Sequence, residues 1–557
     1  MTADIEALRN AASEAELRGD WQEADRLLQV LRSEVELDSD LLSRHAHVIF
    51  SMGDKARAAT MMRRAVRNSP GDPKLKLQLG KIYAVQERFQ AAEDQFRKVI
   101  AVDPENTEAK RRLALALQKK GEGGEEAEVL VKEVVAATPD DLQAWLQLGA
   151  LYANQESRYK EAETAFARAL EIDPISPSAL HNYGLLKRFQ GDLVEAEKYL
   201  KKAFEEYPDH SDFAFSLGIC YMYQENAEKA LECFEQSIAL DPSKKPPRVY
   251  RAFALFYQGR LDEAWQQYEA RLDLNELRDA NYDRPPWNGE DMAGQPLLLM
   301  PEQGMGDNLQ FIRYAELAAE RGIGVIVITH KPLVRLFQSL KGVAATVNSI
   351  PEARHFQRYR SLMSLPLIFG TAPEDTPQNV PYLNAPEELV ETWRNKLSKY
   401  SGVRVGLCWR GNPKHTNDQF RSSSLVEISG LLDIPGCTFF SLHKDLADFE
   451  QELPEDLIDI GSEFEDFADT AAAISSLDLV ISVDTSVCHV AGAVGCPTWT
   501  MIARGPDFRW GLKADTTLWY PTMKLYRQEI LGDWSSVYDR MRSDLEDLAK
   551  SAAKKTN

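Results

Sequence analysis

The sequence lacks several features that would mark common classes of protein. Its six cysteines include no Cys-x-x-Cys pair, and none has a histidine at the spacing of a zinc site. It has no run of about 18 apolar residues, the length that spans a membrane. Its first residues carry neither the basic nor the apolar segment of a secretory signal. We therefore predict a cytoplasmic protein with reduced thiols and no membrane span.

An excess of positive charge is also missing. Lysine and arginine number 65 against 86 aspartates and glutamates, for a net charge of −21. A protein that binds nucleic acid needs a basic surface, so nucleic acid is not expected as a partner. The hydrophobic share of 44% is ordinary for a folded protein, and 557 residues exceed what one core usually serves. We therefore expect several folded domains.

Prolines recur with a nearly constant period in the first half of the chain. Their spacings are 34, 35, 35, 34 and 34 for Pro70, Pro104, Pro139, Pro174, Pro208 and Pro242. Within a unit, a small residue such as Gly80 is followed by a second small residue and a bulky one, such as Ala92 and Phe96. Small residues let two helices approach closely and bulky ones fill the groove between them. Each unit therefore predicts a pair of antiparallel helices.

These units resemble tetratricopeptide repeats. We predict about seven to eight of them over residues 1–276, followed by a proline- and glycine-rich linker over 277–295. The first helix of each unit lines the inner face of such an array, and in the later units this face carries an apolar stripe. The apolar stripe consists of Phe215, Ile219, Met222, Phe253 and Phe256. Two interpretations are open: a groove for an acceptor protein, or a surface that packs on the rest of the chain.

The pattern changes from Pro296 onward, where apolar runs alternate with amphipathic segments. PLLLM, GVIVI, VRVGLC and DLVISV predict strands, and the segments between them predict helices. Such alternation is typical of parallel sheets covered by helices. We predict two Rossmann-like halves, over residues 296–380 and 381–557, and a helix at the end of the second.

Polar loops follow the predicted strands, where open parallel sheets bind their ligands. The first loop contains Gly304 and Gly306, which let the backbone approach a ligand, and Asp307, which is either a functional carboxylate or a helix N-cap. The second carries Lys414 and Arg421, which are either phosphate ligands or solvated cations.

A third loop leads into a helix whose N-terminus favours an anion. It contains Asp484, Thr485, Ser486 and His489. The alternatives here are a capping role for Asp484 and a core position for His489.

Together, PEQGMGDNLQFIRY, VGLCWRGNPKHTNDQFRS and VDTSVCHVAGAVGCPTWTM resemble the heptosyltransferase-like glycosyltransferases of the family 9 type, in particular bacterial proteins that join such a module to tetratricopeptide repeats. The resemblance implies a GT-B fold with the acceptor mainly on the first half and the sugar nucleotide mainly on the second. It implies no metal and no cofactor.

The resemblance also implies roles for individual residues. Asp307 matches the general base, and either Lys414 or Arg421 matches the cation that offsets charge on the leaving phosphate. The segment that grips the nucleotide and the donor sugar is matched by Asp484, Thr485, Ser486 and His489.

We therefore predict an inverting glycosyltransferase that moves a sugar from a nucleotide-sugar to Ser or Thr of a protein held by the repeats. The arrangement also resembles flagellin glycosyltransferases that attach nonulosonic acids of the pseudaminic or legionaminic type, which makes flagellin the expected acceptor. Two alternatives are a non-catalytic repeat scaffold with a degenerate transferase module and a heptosyltransferase-like enzyme that acts on a glycan.

Overall fold

The computed structural model describes residues 2–35, 38–121, 123–274, 284–302, 304–349, 355–372, 376–415, 417–445 and 453–556. The chain divides into two compact units. The first comprises Met1–Gln190 and Lys198–Glu206, and the second comprises Gly191–Glu197 and Tyr207–Asn557. No helix in the described ranges has the length and apolar character needed to cross a membrane.

Helices follow one another in pairs up to Tyr268, which makes eight pairs in the described part of the chain. They are α1 (Thr2–Leu17), α2 (Trp21–Glu34), α3 (Ser39–Ser51), α4 (Lys55–Asn68), α5 (Pro73–Val85), α6 (Phe89–Val102), α7 (Thr107–Lys120), α8 (Gly124–Ala137), α9 (Leu142–Ala153), α10 (Tyr159–Ile172), α11 (Pro177–Phe189), α12 (Leu193–Glu206), α13 (Ser211–Tyr223), α14 (Ala227–Leu240), α15 (Pro246–Tyr257) and α16 (Leu261–Tyr268).

The glycines of the repeated pattern lie where two helices of a pair approach most closely. A Cβ atom added at Gly80 would lie 2.5 Å from the ring of Phe96, and one added at Gly218 would lie 2.6 Å from the ring of Phe234. A larger residue would separate the two helices, because a buried aromatic ring already fills the space between them. The predicted helix pairs are therefore confirmed, with the small and bulky residues in the expected contact.

Two parallel sheets follow in the second unit. The first has the strand order β3-β2-β1-β4 and the second has the order β10-β9-β8-β5-β6-β7. The strands are β1 (Pro296–Met300), β2 (Gly324–Ile328), β3 (Val343–Val347), β4 (Arg358–Ser361), β5 (Val403–Cys408), β6 (Cys437–Ser441), β7 (Leu457–Asp459), β8 (Leu479–Val483), β9 (Thr498–Ile502) and β10 (Met523–Arg527). The strand order reverses between β1 and β4 and between β5 and β8, and ligands bind at such points in open sheets.

Helices connect and cover these strands. They are α17 (Met305–Phe311), α18 (Arg313–Glu320), α19 (Val334–Phe337), α20 (Leu365–Ile368), α21 (Glu387–Leu397), α22 (Asp418–Arg421), α23 (Leu425–Ile428), α24 (Phe467–Ile474), α25 (Ser486–Val494) and α26 (Ser535–Thr556). The C-terminal helix α26 buries Val537, Met541 and Leu545 in the same core cluster as Val405 and Leu407 of β5. This core packs α26 against the second sheet.

The structure differs from the sequence prediction in its details. The helix predicted after β1 is two helices, α17 and α18, and the polar strand β4 was not predicted. The last helix of the array ends at Tyr268 and β1 begins at Pro296, on either side of the predicted linker, whose residues 277–283 lie outside the described residues. Helices α13 to α16 belong to the same compact unit as the sheets.

Candidate active site

Four loops of the second unit, each at the carboxyl end of a strand, carry the polar residues of the candidate site. They follow β1, β5, β8 and β9. The loop after β1 leads into α17, and the loop after β8 leads into α25. A Cβ atom added at Gly306 of α17 would lie 2.8 Å from Cδ2 of His489 on α25. Glycine therefore lets the two helices approach, and the first and third predicted loops meet.

Asp307 forms an ion pair across these loops. Its Oδ1 accepts a hydrogen bond of 2.6 Å from Nη2 of Arg509, in the loop after β9. The N-cap of α17 is Gly304, so Asp307 is not the capping residue. Burial raises the pKa of Asp307; Arg509 opposes this increase, and the negative charges of Glu302 and Asp484 add to it. The site therefore holds a carboxylate that binds a proton more readily than an exposed aspartate does.

Arg509 lies between two carboxylates. Its Nε is 3.4 Å from Oδ1 of Asp507, and its side chain is only 8% exposed. Burial raises the pKa of Asp507 to about 6, although the charge on Arg509 opposes this change. The side chain of Asp507 also caps the short 3-10 turn Phe508–Trp510 by accepting the backbone N–H of Arg509. One short loop thus supplies both a cation and a second carboxylate.

The third predicted loop presents a helix N-terminus. The N-cap of α25 is Thr485 and not Asp484. The side chain of Thr485 accepts no capping hydrogen bond. Thr485 and Ser486 are half-buried. An anion could therefore reach the free N–H groups at the start of this helix.

His489 is buried beneath that N-terminus. Its Nδ1 and the hydroxyl of Tyr520 are 2.8 Å apart, and its ring stacks on Trp510 at 5.5 Å. Its Nε2 lies 3.9 Å from Oδ1 of Asp484. Burial lowers the pKa of His489 well below its usual value, which favours the uncharged ring.

Asp484, Cys488 and His489 bring three potential metal-binding atoms within 4.8 Å of one another. The donor set fits a metal poorly. Burial raises the pKa of the Cys488 thiol well above its usual value, and metal binding needs the thiolate. The cation Arg509 also lies close enough to lower the pKa of His489.

The second predicted loop places its two candidate cations differently. Arg421 is 18% exposed, and its Nη2 pairs with Oδ1 of Asp418 at 3.1 Å. Lys414 is exposed, and within the described residues its ammonium group has no hydrogen bond or ion pair. Burial lowers the pKa of the neighbouring His415, the charge on Arg421 lowers it further, and Asp484 and Asp307 oppose this change. The charges of Arg421, Asp484 and Asp307 thus all act on His415.

Buried hydrogen-bond donors without partners surround the site. Nε of Arg421 and Nε1 of Trp510 are inaccessible and have no hydrogen-bond partner in the described part of the chain. Such groups are rare in folded proteins because each costs desolvation energy.

Two residues of the apolar stripe pack inside the second unit. The ring of Phe256 stacks on Phe508 at 4.3 Å, and the ring of Phe253 does so at 5.6 Å. Met222 is buried, whereas Phe215 and Ile219 are partly exposed. The stripe is therefore not an open groove along its whole length: Phe253 and Phe256 contact the loop after β9, as the intramolecular interpretation expects. An acceptor-binding role stays a prediction for the partly exposed residues.

A buried ion-pair network joins the last repeat to the end of β1. Nη2 of Arg271 lies 2.6 Å from Oε1 of Glu302, and both side chains are 5% exposed. The carboxylate of Glu269 accepts hydrogen bonds from Arg271, Ser364 and Arg360. These buried charges are paired, which folded proteins require.

A cavity of about 550 Å³ lies beside this network, at the carboxyl ends of β1 and β4. The helical repeats supply one wall and the first sheet supplies the other. Residues that line it include Arg248, Gln266, Gln267 and Glu269 from the repeats and Met300, Tyr359, Arg360 and Ser361 from the sheet.

Sequence reasoning did not find Asp507, Arg509 or the network around Arg271. Asp507 and Arg509 stand in the segment GPDFRWG, which has no periodicity and matches no predicted motif. The available signal was its position after the strand PTWTMI, since polar residues at strand ends line ligand sites.

Comparisons with known proteins agree with the helical part. Residues 85–152, 142–176 and 176–243 match tetratricopeptide repeat families. The chain contains tetratricopeptide repeats. A tetratricopeptide repeat protein from Parabacteroides merdae is similar in structure, with a TM-score of 0.37 and 20% identity, over 44% of this chain and 94% of that chain.

Similarity to one relative extends beyond the tetratricopeptide repeats. Protein FlbA of Caulobacter vibrioides is 24% identical over 480 residues, which cover 80% of this chain and 74% of FlbA. An alignment of that length includes part of the sheets. The human protein O-mannosyl-transferase TMTC1 is 26% identical over 202 residues, which cover 35% of this chain and 22% of TMTC1. The chain thus spans most of FlbA and less than a quarter of TMTC1.

Proposed function

We propose that this protein is a glycosyltransferase that moves a sugar from a nucleotide-sugar to a Ser or Thr hydroxyl of a polypeptide. The observation that carries the proposal is the partly buried Asp307 carboxylate, which is paired with Arg509 where the loops after β1, β8 and β9 meet. Under this proposal the two parallel sheets are the halves of a GT-B fold, as the resemblance of the three loop motifs implies.

Asp307 acts as the general base. The acceptor hydroxyl attacks the anomeric carbon on the face opposite the leaving phosphate, and its proton passes to the carboxylate, so the reaction inverts configuration. Arg509 binds Oδ1, which leaves Oδ2 for that proton. A pKa raised by burial makes Asp307 a better proton acceptor than an exposed aspartate, provided that it is ionised at the working pH.

The second sheet binds the donor. Its strand order reverses between β5 and β8, and the loops after these strands carry Arg421, Lys414 and the N-terminus of α25. Cations and free N–H groups offset the charge that develops on the departing phosphate. Thr485 and Ser486, at the N-terminus of α25, supply hydrogen bonds to the nucleotide.

The acceptor polypeptide enters beside the first sheet. The cavity at the ends of β1 and β4 has one wall from the repeats and one from the sheet, and repeats of this kind bind polypeptides. Ser361 lines that cavity and donates a hydrogen bond to Glu302, whose charge acts on Asp307. Flagellin is the acceptor to test first, with a nonulosonic acid as the expected sugar.

Intact-mass analysis of flagellin tests the proposal in living cells. The mass of flagellin is measured in three strains: one with the wild-type gene, one without the gene, and one that carries the Asp307→Asn variant. A mass increment that is present only with the wild-type gene is expected, and its size identifies the sugar.

Two other results would argue against the proposal. If the Asp307→Asn cells retain the full increment, Asp307 is not the base. If neither flagellin nor any other cellular protein differs in mass between the first two strains, the chain does not glycosylate protein, and a scaffold or a glycan-directed enzyme replaces the proposal.

A further inference from the structure

In the loop after β9, two neighbouring residues, Phe508 and Arg509, lie in an apolar and a charged environment, respectively. Phe508 is buried among aromatic rings of α15 and α16, and its closest stack is with Phe256 at 4.3 Å. Arg509, the next residue, points to Asp307. One peptide unit thus separates a contact with the last repeat from a contact with the candidate base.

Several contacts from the repeats fix this loop. Phe253, Tyr268 and Trp265 also contact the ring of Phe508, with centroid distances of 5.6, 5.5 and 5.9 Å. The hydroxyl of Tyr257 donates a hydrogen bond to the carbonyl oxygen of Pro506. A ring held on several sides has few rotamers, so the backbone on either side of it has little freedom.

Arg509 in turn has little room to find another arrangement. Its side chain is 8% exposed, and its guanidinium group lies between Asp307 at 2.6 Å and Asp507 at 3.4 Å. A charged hydrogen bond of this length fixes the orientation of the Asp307 carboxylate.

We propose that Arg509 is a positioning residue for Asp307 and that the docking of Phe508 into the last repeat determines where Arg509 lies. Under this proposal the last repeat binds the loop after β9 and thereby fixes the position of Arg509, in addition to any contact with the acceptor. The inference rests on the proposed role of Asp307 as a base, but the ion pair that it concerns can be measured without any reaction.

The charges around Asp307 determine the direction of the expected effect. Glu302 at the end of β1 and Asp484 at the end of β8 both favour the protonated acid, as burial does. His415, Asp507 and Tyr268 face the same site from the loop after β5, the loop after β9 and α16. Arg509 is the cation that opposes the carboxylates. Loss or displacement of Arg509 therefore raises the pKa of Asp307.

Carbon-13 NMR of the full-length protein, labelled at aspartate carboxyl carbons, measures this directly. The resonance that is missing in Asp307→Asn identifies the group, and its titration is followed in the wild type, Arg509→Lys, Arg509→Met and Phe508→Leu. We expect the midpoint to move to higher pH in Arg509→Met and in Phe508→Leu, and to stay near the wild-type value in Arg509→Lys.

Phe369→Leu is the matched control for the loss of a ring. Phe369 contacts Trp287 and Tyr314 in the first sheet region, so this variant should leave the midpoint unchanged. Thermal unfolding of each variant confirms that it is folded. Where sugar transfer is observed, the acidic limb of the profile of kcat/KM against pH should move with the midpoint, and kcat should fall by at least tenfold in Arg509→Met.

The outcomes separate the two proposals. An unchanged midpoint in folded Arg509→Met overturns the positioning role. A shift in Arg509→Met but not in Phe508→Leu overturns the part played by the repeat. Shifts in both variants without any sugar transfer by the wild type support the ion pair and contradict the proposed function instead.

Discussion

Oδ1 of Asp307 lies 2.6 Å from Nη2 of Arg509, although 202 positions separate the two residues in the sequence. This pair joins helix α17, which follows the first strand of one sheet, to the loop after β9 of the other sheet. The chemistry assigned to the protein depends on this junction. Changes that alter how closely the loops meet should therefore alter catalysis more than stability.

Gly306→Ala tests how closely the loops must meet. The new Cβ atom would lie 2.8 Å from Cδ2 of His489, so α17 or α25 must shift. We expect kcat for sugar transfer to fall by about 100-fold, since small displacements at an active site cost that much. Gly430→Ala is the matched control, because nothing lies within 4 Å of its Cβ position. Equal activities of the two variants would show that the approach of α17 to α25 is not required.

Asp507→Asn should have an effect opposite in sign to the loss of Arg509. Asparagine can still cap the 3-10 turn, but it no longer competes as a carboxylate for Arg509. The Arg509 guanidinium then forms an ion pair with Asp307 alone. Because this pair stabilises the ionised carboxylate, the pKa of Asp307 falls. We expect the acidic limb of kcat/KM against pH to move down by about one pH unit or less. A shift to higher pH would contradict the competition between the two carboxylates.

Arg271→Met should destabilise the second unit strongly. The variant leaves Glu302 buried and without its guanidinium partner, and breaking a buried ion pair costs about 3–5 kcal/mol. Urea denaturation of the wild type and the variant measures the decrease in the free energy of unfolding. The double variant Arg271→Met, Glu302→Gln should recover much of it, because no unpaired charge remains. A double variant no more stable than the single one would indicate that packing of Arg271, rather than its charge, matters.

The boundary of the sheet-containing unit can be tested by truncation. A chain that starts at Gly191 retains the repeat helices that belong to this unit and should fold cooperatively and bind a nucleotide. A chain that starts at Pro296 exposes Phe508, Phe311 and Trp519, which contact Trp265 in the full protein, and should aggregate. Circular dichroism and calorimetry with CMP, UDP, GDP and ADP measure both properties. A folded, nucleotide-binding fragment from Pro296 would contradict the role of the last repeats.

The repeats could be read from the sequence because their contacts are local. Gly218 and Phe234 meet within one helix pair, so the spacing that defines the repeat also defines the contact. The strand ends were readable for a similar reason, since an apolar run such as VRVGLC ends where its loop begins. The segments that contain Asp307 and Asp484 could therefore be placed at strand ends from the sequence, and their part in a site stays a prediction.

The role of GPDFRWG could not be read in the same way. Phe508 contacts Phe256, and Arg509 contacts Asp307, but both contacts link positions far apart in the sequence and repeat nowhere else. The same reason explains the apolar stripe. Its period placed Phe253 and Phe256 on one face of the array, and only the fold shows that Phe508 covers them.

Single-turnover transfer by Asp307→Asn measures whether this carboxylate is the base for sugar transfer. Wild type and variant are incubated with purified flagellin and each of the CMP-, UDP-, GDP- and ADP-linked sugars, and the acceptor is weighed by mass spectrometry. We expect transfer from one donor by the wild type, a rate about 100- to 10,000-fold lower for Asp307→Asn, and equal donor affinity for both. Asp456→Asn, an exposed site, should match the wild type. Transfer by Asp307→Asn at the wild-type rate would contradict the account.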